Sequence, residues 1–328
     1  MRAVYIEEFG SPDNLEIREL PDPSPPTGSQ VLIRVHAAGL NRADLLQVRG
    51  GYPPPAGYSP NIPGLEFAGE VAAIGDGSTR WSIGDRIFGI TAGEGQAEYL
   101  MTDESLLAAV PDNFDLVEAA GVPEAFITAH DAIFTLADLK RGETLLVHAV
   151  GSGVGLAALQ LANAKGATVI GTSRTAEKLE RCREFGLDRA IVTGVENGFA
   201  DLVAEETDGR GVDVILDLVG AAYFQQNLES LALKGRLLLV GLTSGRSAEF
   251  NLGLALQKRA RIIGTVLRGR SAEEKAEATS KFATDVVPLF ESGAIRPNID
   301  RVFAAADVVE AYQYLGSNES FGKVVLEF

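Results

Sequence analysis

The stretch TLLVHAVGSGVGLAALQLANAKGATVIGTSR, residues 144–174, decides how the rest of the chain is read. Residues 144–149, TLLVHA, form an apolar run of the length of a buried strand. The turn Val150-Gly151-Ser152-Gly153-Val154-Gly155 follows, then a helical run over 155–165 and a second strand over 168–172. Glycines let backbone amides approach a pyrophosphate closely, and a helix N-terminus adds positive partial charge there. Leu156 stands where the third glycine of a clean G-x-G-x-x-G would fall, so the cluster taken alone reads equally as a tight turn. Lying between a strand and a helix in a βαβ unit, it becomes a dinucleotide signal. Gly151, Ser152, Gly153 and Val154 are therefore candidate cofactor-binding residues.

Working outward, residues 212–218 (VDVILDL) and 236–240 (RLLLV) supply further strands, with helices at 176–185 and between the later strands. Alternating β and α segments predict a doubly wound parallel sheet. The alternation begins near Pro123, where PEAFITAHDAIFTLADL places proline in a first helical turn. Residues 1–120 instead read as β-rich, with short apolar runs at 31–35, 67–74 and 97–101. Residues 21–29 are a proline loop, and GGYPPPAGYSPNIPG at 50–64 excludes both helix and central strand. A long ordered loop of this kind is often functional. Beyond residue 265 come a long charged helix, a strand at 298–303, a helix VVEAYQYL and a last strand at 322–328. Asp307 and Glu310 have the spacing of a capping box for VVEAYQYL. The tail is too short to fold alone, so it is expected to complete the first lobe. The expected domains are 1–122 with 266–328, and an inserted 123–265 of the Rossmann type.

With 328 residues the chain is long enough for two domains, and 46% hydrophobic against 23% charged residues is ordinary for a globular protein. Twenty-nine basic against 45 acidic residues give a net charge of −16, which disfavours nucleic acid and anionic membranes as partners. Cys182 is the only cysteine, so no intramolecular disulfide forms. The N-terminus lacks the apolar run of a signal peptide, and no stretch suits a bilayer span. A cytoplasmic protein with no membrane insertion is the expectation.

The choice of nucleotide follows from the second strand of the βαβ unit. NAD sites usually place an acid about twenty residues beyond the glycines, to bind the ribose hydroxyls. No Asp or Glu occurs from Ala164 through Ala176; Ser173, Arg174 and, one helical turn on, Lys178 stand there instead. A hydroxyl, a guanidinium and an ammonium suit a 2′-phosphate, which points to NADPH, although solvated surface charge has the same composition. Val219, and Gly241, Leu242 and Thr243, follow later parallel strands, and ligands bind outside such strand ends.

Across these segments the chain resembles the medium-chain dehydrogenase/reductase superfamily, and within it the zinc-free quinone oxidoreductases of the p53-inducible kind. The marks are AAGLNRADLLQVRGGYPPP (37–55), GLEFAGEVAAIG (64–75), WSIGDRIFG (81–89), PEAFITAH (123–130), HAVGSGVG and the closing GKVVLEF, in order over nearly the whole length. The resemblance implies a GroES-like β-rich catalytic domain, a Rossmann NADP-binding domain, and an active site in the cleft between them. It also implies direct hydride transfer from NADPH to a quinone without flavin, in a homodimer or homotetramer. Zinc-dependent relatives carry a cysteine where Asn41 stands and a histidine where Leu65 precedes Glu66, so no metal is expected. Many relatives have a tyrosine near the 2′-phosphate where this chain has Thr193.

In metal-free hydride transfer something must stabilise a developing oxyanion. Asn41 can donate its amide and, by the resemblance, lines the nicotinamide pocket; it is equally a candidate for a hydrogen-bonded turn. Tyr52 opens the proline loop and can donate a phenolic hydrogen bond, stack on a quinone, or simply anchor its loop; Tyr58 is the weaker candidate. Thr128 can reach the nicotinamide ribose or its phosphate, or bond its own helix. Leu267 and Arg268 fall where relatives touch the nicotinamide end, and Lys323 can approach the cofactor from the last segment. His36, His130 and His148 lack metal-ligand spacing and read as packing or hydrogen-bonding residues, as does Cys182. The reading is an NADPH-dependent quinone reductase acting on a quinone or another electrophilic carbonyl. An NADPH-dependent enone or alkenal double-bond reductase, or a non-catalytic NADPH-binding protein, are the alternatives.

Overall fold

Strand β1 (Arg2–Ile6) pairs antiparallel with β2 (Leu15–Glu19), a hairpin absent from the sequence reading. Strand β3 (Gln30–Leu40) alternates buried and exposed residues over its first half and is wholly buried from Ala37 onward. Such a change means one face meets solvent early and both are covered late. β3 pairs antiparallel with β4 (Glu66–Ile74), which continues to β5 (Arg86–Ile90); β6 (Tyr99–Asp103) lies on β3 and β7 (Leu107–Ala109) on β5. Residues 51–65 form neither helix nor strand, as their prolines require. The computed structural model describes residues 1–194 and 198–328. It divides into Met1–Ile127 with Leu267–Phe328, and Thr128–Val266, beside the expected boundaries at 122/123 and 265/266.

In the second unit β8 (Thr144–Val147), β9 (Thr168–Ser173), β10 (Arg189–Val192), β11 (Val212–Asp217), β12 (Leu231–Leu239) and β13 (Arg261–Gly264) form one parallel sheet. Its order, β10-β9-β8-β11-β12-β13, reverses direction between β8 and β11, the switch point where such sheets open for ligands. Leu146, Ile170, Val212, Ile215 and Leu237 fill its core with Phe199 and Leu228. Each such side chain contributes about 1.5–3 kcal/mol on full burial. β8 stops two residues short of the expected end because Ala149 turns to φ 49°. The helix Gly153–Lys165 then packs closely on the turn. A Cβ on Gly155 would lie 2.6 Å from the carbonyl oxygens of both Ala149 and Val150, so only glycine permits the approach.

The tail returns to the first unit. β14 (Ile299–Ala304) pairs parallel with β15 (Lys323–Glu327), and β15 pairs antiparallel with β3. Tyr312 and Leu315 of the helix Val308–Ser317 share a core with Val4, Ile6, Leu40, Val324 and Leu326. The expected cap of that helix is corrected by the structure. Asp307 makes no side-chain cap bond, because the 3-10 turn Ala305–Asp307 enters the helix and leaves Asp307 at ψ 25° rather than extended. Capping boxes form on other helices, among them Ala272–Asp285, where Glu274 N–H donates to Ser271 Oγ and Ser271 N–H to Glu274 Oε2.

Candidate functional site

In the parallel-sheet unit the expected cofactor residues gather at the C-terminal strand ends. Ser152 caps the helix Gly153–Lys165, its Oγ accepting from Gly155 N–H at 3.1 Å. Gly153 and Val154 occupy the first helical positions, whose amides have no carbonyl partner within the helix. No acidic side chain stands in that first turn, so its positive end is not neutralised locally. Ser173 ends β9 beside Val192 of β10, and Thr193 N–H donates to Ser173 O at 2.9 Å. Arg174 is exposed, Lys178 half-buried and Thr193 buried. Gly241 follows β12, its N–H donating to Asp217 O, while Thr243 Oγ1 donates to Leu218 O at 3.4 Å and Leu242 is half exposed. Thr128 Oγ1 is buried without a hydrogen-bond partner among the described residues. An orphaned hydroxyl, a helix start free of acid and a turn with no room for a Cβ together fit a bound dinucleotide.

Beneath these strand ends runs a buried polar chain that the sequence reading missed. His148 Nδ1 lies 2.9 Å from Thr172 Oγ1, and His148 Nε2 2.6 Å from Asn227 Oδ1. Asn227 Nδ2 donates to Asp217 Oδ2, so its Oδ1 accepts; His148 therefore carries its proton on Nε2 and accepts from Thr172 on Nδ1. Asp217 Oδ1 closes the chain by accepting Val219 N–H at 2.7 Å and Gly220 N–H at 2.9 Å. Burial lowers the imidazole to about 4, keeping it neutral, and raises Asp217 to about 6 against the two amide bonds. Phe199 and Tyr223 meet the imidazole edge-on, each at 4.8 Å. His148 thus shapes the 219–220 turn rather than reacting. His36 is exposed beside Glu327, His130 meets Phe134 edge-on, and burial pushes the Cys182 thiol up to about 12.

The first unit holds a denser group of charges. Lys323 Nζ donates to Glu66 Oε1, to Leu40 O at 2.8 Å and to Asn41 Oδ1 at 2.8 Å, which uses all three of its hydrogens. Glu66 is fully buried at the start of β4, and Gly39 makes room for it: a Cβ there would lie 2.4 Å from Glu66 Oε1. Asn41 Nδ2 donates to the same oxygen at 2.8 Å, and Asn41 N–H to Asp44 Oδ2 at 2.8 Å. The Asn41 amide is therefore spent within the fold, on both its oxygen and its nitrogen. Burial raises Asp44 to about 6, opposed by the Asn41 amide and by Lys323 and Arg268. Tyr312 donates to Gln96, which in turn reaches Asp44.

Arg268 anchors the proline loop. Its Nε donates to Ala92 O, one terminal nitrogen to Tyr52 O at 2.9 Å and the other to Gln47 Oε1 at 2.6 Å. Its guanidinium also lies over the Tyr52 ring, 4.9 Å from the centroid. Leu267 beside it is buried. Gln47 holds the far end of the loop through Pro60 O at 2.9 Å. Tyr52 is fixed by its carbonyl and ring, while its phenol makes no hydrogen bond among the described residues; burial holds that phenol above its usual range. Glu124 joins the group from the start of the helix Pro123–His130. Its N–H donates to Glu66 Oε2 at 2.8 Å, and its carboxyl is raised to about 8 by burial and by the Glu66 charge.

The sequence reading named Asn41, Tyr52, Arg268 and Lys323 from this unit but passed over Glu66, Asp44, Glu124 and Lys275. The signal existed for one of them. Glu66 stands between Leu65 and Phe67 in the run GLEFAG, and an interior carboxylate there requires a partner.

An alcohol dehydrogenase GroES-like domain family matches residues 27–137, and a zinc-binding dehydrogenase family matches residues 153–284. A quinone oxidoreductase of Pseudomonas aeruginosa is 34% identical over 328 residues, covering 99% of this chain and 99% of its own. The Homo sapiens quinone oxidoreductase is 31% identical over 329 residues, covering 99% and 97%. The chain belongs to the quinone oxidoreductases of the medium-chain dehydrogenase/reductase superfamily. Of known structures, the mycobacterial Rv1454c complexed with NADPH superposes with TM-score 0.89 at 31% identity over 100% of both chains.

This quinone oxidoreductase therefore pairs a GroES-like unit with a nicotinamide-nucleotide-binding unit of the Rossmann type. Zinc, which names one of the matched families, does not fit its donors. Lys323 places an ammonium on both Glu66 Oε1 and Asn41 Oδ1, where a cation would have to bind. Among the described residues no group of three or more His, Cys, Asp or Glu is arranged to hold a metal. Nor is any described helix long and apolar enough to cross a membrane.

Proposed function

We propose that this quinone oxidoreductase is an NADPH-dependent quinone reductase working by direct hydride transfer, without metal or flavin. The unit Thr128–Val266 binds the nucleotide, and the unit Met1–Ile127 with Leu267–Phe328 handles the acceptor. The observation that carries the reading is Tyr52, held by Arg268 at both carbonyl and ring while its phenol makes no hydrogen bond among the described residues. A pre-positioned, unpaired donor is what an oxyanion requires, since it needs no reorganisation at the moment of reaction. Bound NADPH supplies the hydride. Ser173, Arg174 and Lys178 hold its 2′-phosphate, Gly151 to Val154 its pyrophosphate and Thr128 its ribose end. Val219, Gly241, Leu242 and Thr243 line the strand ends beside it. Asn41 and Lys323 act as positioning residues, holding the Glu66 carboxyl and the β3–β4 junction in place.

A second copy of the chain completes the assembly. β13 is the outer strand of the parallel sheet, and Leu252, Leu256 and Ile262 around it are exposed, at 72%, 77% and 42%. Unpaired edges with apolar neighbours seek partners. The decisive experiment mixes NADPH with 9,10-phenanthrenequinone or 2-hexenal, with and without EDTA, and follows NADPH absorbance. Turnover of the quinone that EDTA leaves intact is expected. Turnover of 2-hexenal alone transfers the reading to a double-bond reductase, and turnover of neither makes this a binding protein.

A further inference from the structure

Gln47 is 1% exposed, near the end of the helix Arg42–Val48, and its carboxamide serves two partners at once. Its Oε1 accepts from a terminal nitrogen of Arg268 at 2.6 Å, while its Nε2 donates to Pro60 O at 2.9 Å and to Ile62 O at 3.4 Å. The orientation is forced, because a guanidinium only donates and a carbonyl only accepts. Arg268 in turn donates to Tyr52 O at 2.9 Å and lies over the Tyr52 ring, 4.9 Å from its centroid. One side chain thereby fastens both ends of the proline loop, from Tyr52 to Ile62.

Between those ends the loop lies on the turn at 91–96. Arg268 Nε donates to Ala92 O at 2.7 Å, Ser59 N–H to Glu94 Oε1 at 2.7 Å and Glu94 N–H to Ile62 O at 3.2 Å. Gly93 lets the loop settle there: a Cβ on it would lie 3.2 Å from Tyr58 Cβ and 3.5 Å from Pro54 Cβ. The helix that carries Gln47 is fixed at its other end, where Asn41 N–H donates to Asp44 Oδ2 and Asn41 Nδ2 to Glu66 Oε1. Gln47 stands three residues after Asp44, so the two share a helix face and Gln47 has a rigid mount.

We propose that Gln47 is a positioning residue of the quinone reduction, its carboxamide holding the Arg268 guanidinium on Tyr52 and closing the proline loop so that the Tyr52 phenol offers its O–H from one fixed place. The inference deepens the quinone reductase reading and rests on it. Both amide hydrogens of Gln47 go to loop carbonyls and none remains for a ligand, so its effect runs through Arg268 and Tyr52. A donor on a loop escapes reorganisation only when its neighbours lock it in position. A positive charge over an aromatic ring also draws electron density from the phenol oxygen, which strengthens the O–H as a donor. Burial raises the Tyr52 phenol, and the Arg268 charge opposes it. A glutamate at position 47 would set oxygen against the Pro60 carbonyl, and a leucine would hold neither partner.

A double-mutant cycle with NADPH and 9,10-phenanthrenequinone tests the role, beside a measurement on the free protein. Tyr52→Phe should lower kcat about 100-fold and Gln47→Leu about tenfold, with the NADPH Kd from fluorescence titration unchanged in both. In the Tyr52→Phe background, Gln47→Leu should change kcat by less than about twofold, because the group it positions is already gone. Gln47→Glu, which keeps an acceptor for Arg268, should recover part of the rate. Amide hydrogen exchange across residues 53–62 should be about tenfold faster in Gln47→Leu and unaltered in Tyr52→Phe. Additive effects in the cycle, or a folded Gln47→Leu with wild-type exchange, overturn the proposal while quinone reduction itself stands. If Gln47→Leu does not fold, Gln47→Glu carries the same cycle and exchange comparison, and the same two outcomes overturn it. A wild type that reduces no quinone defeats the functional reading, and the positioning role with it.

Discussion

In the proposed reading Arg174 and Lys178, beside Ser173, carry the preference for NADPH. Ser173 ends β9, and the short helix Ala176–Cys182 follows, so a 2′-phosphate at this strand end meets their charges. A charge-assisted hydrogen bond contributes about 1.5–3 kcal/mol, and roughly 1.4 kcal/mol is tenfold in affinity. Discounted for the exposure of Arg174, the two contacts should favour NADPH over NADH by about ten- to a hundredfold in kcat/KM. Arg174→Ala and Lys178→Ala should each weaken NADPH use while NADH use stays nearly constant, as steady-state kinetics with both nucleotides will show. The buried pair Lys323–Glu66 is the other residue-scale case. Lys323→Met leaves a fully buried carboxylate uncompensated, which costs about 3–5 kcal/mol. Chemical denaturation should show that loss, and Glu66→Gln added to Lys323→Met should restore much of it. Equal stability of the two single variants and the double would contradict the pairing.

At the scale of elements, the chain Thr172–His148–Asn227–Asp217 binds the ends of β8, β9 and β11 to the turn at 219–220. Asn227→Leu removes one partner each from His148 and Asp217 and leaves both buried. At about 1–3 kcal/mol for each orphaned group, a fall of roughly 2–6 kcal/mol is expected, read as a lower thermal midpoint. Because the same chain shapes the 219–220 turn, NADPH should also bind that variant more weakly by fluorescence titration. The sequence announced these strands by their apolar runs, and the helix Gly153–Lys165 by its glycines. It announced neither the network nor the failure of the Asp307 cap. His148 and Asn227 stand 79 positions apart, and whether Asp307 is extended depends on the turn that delivers it.

For the whole molecule, the exposed row beside β13 predicts a dimer that Leu256→Glu with Ile262→Lys should convert to monomer, as light scattering after size exclusion will report. Stability should also depend on pH in an unusual sense. Glu124 has a folded value, about 8, above its usual 4.5, so its contribution is complete below 4.5 and is lost as pH rises through 8. The thermal midpoint of wild type should therefore decline between about pH 5 and 9 more than that of Glu124→Gln; parallel curves would show that Glu124 titrates normally. His148 acts in the opposite direction. Its folded value, about 4, lies below 6.5, so it removes stability as pH falls from 6.5 toward 4.

By itself the sequence determined the two-lobed plan, the parallel sheet with its glycine turn, and the basic corner that replaces an acid at the second strand. Those features are local: strand periodicity, glycine next to a helix start, and charge within one turn of a strand end all act over a few residues. Only the tertiary structure decided which polar groups are free. Asn41 and Tyr52 looked alike as donors in the sequence. The fold spends the Asn41 amide on Glu66 and Lys323, from positions 25 and 282 residues away, and leaves the Tyr52 phenol without a hydrogen bond among the described residues. It likewise gathers Glu66, Glu124 and Lys323 from three separate segments. Burial and the neighbouring Glu66 raise the Glu124 carboxyl, and neither influence exists until distant segments have packed.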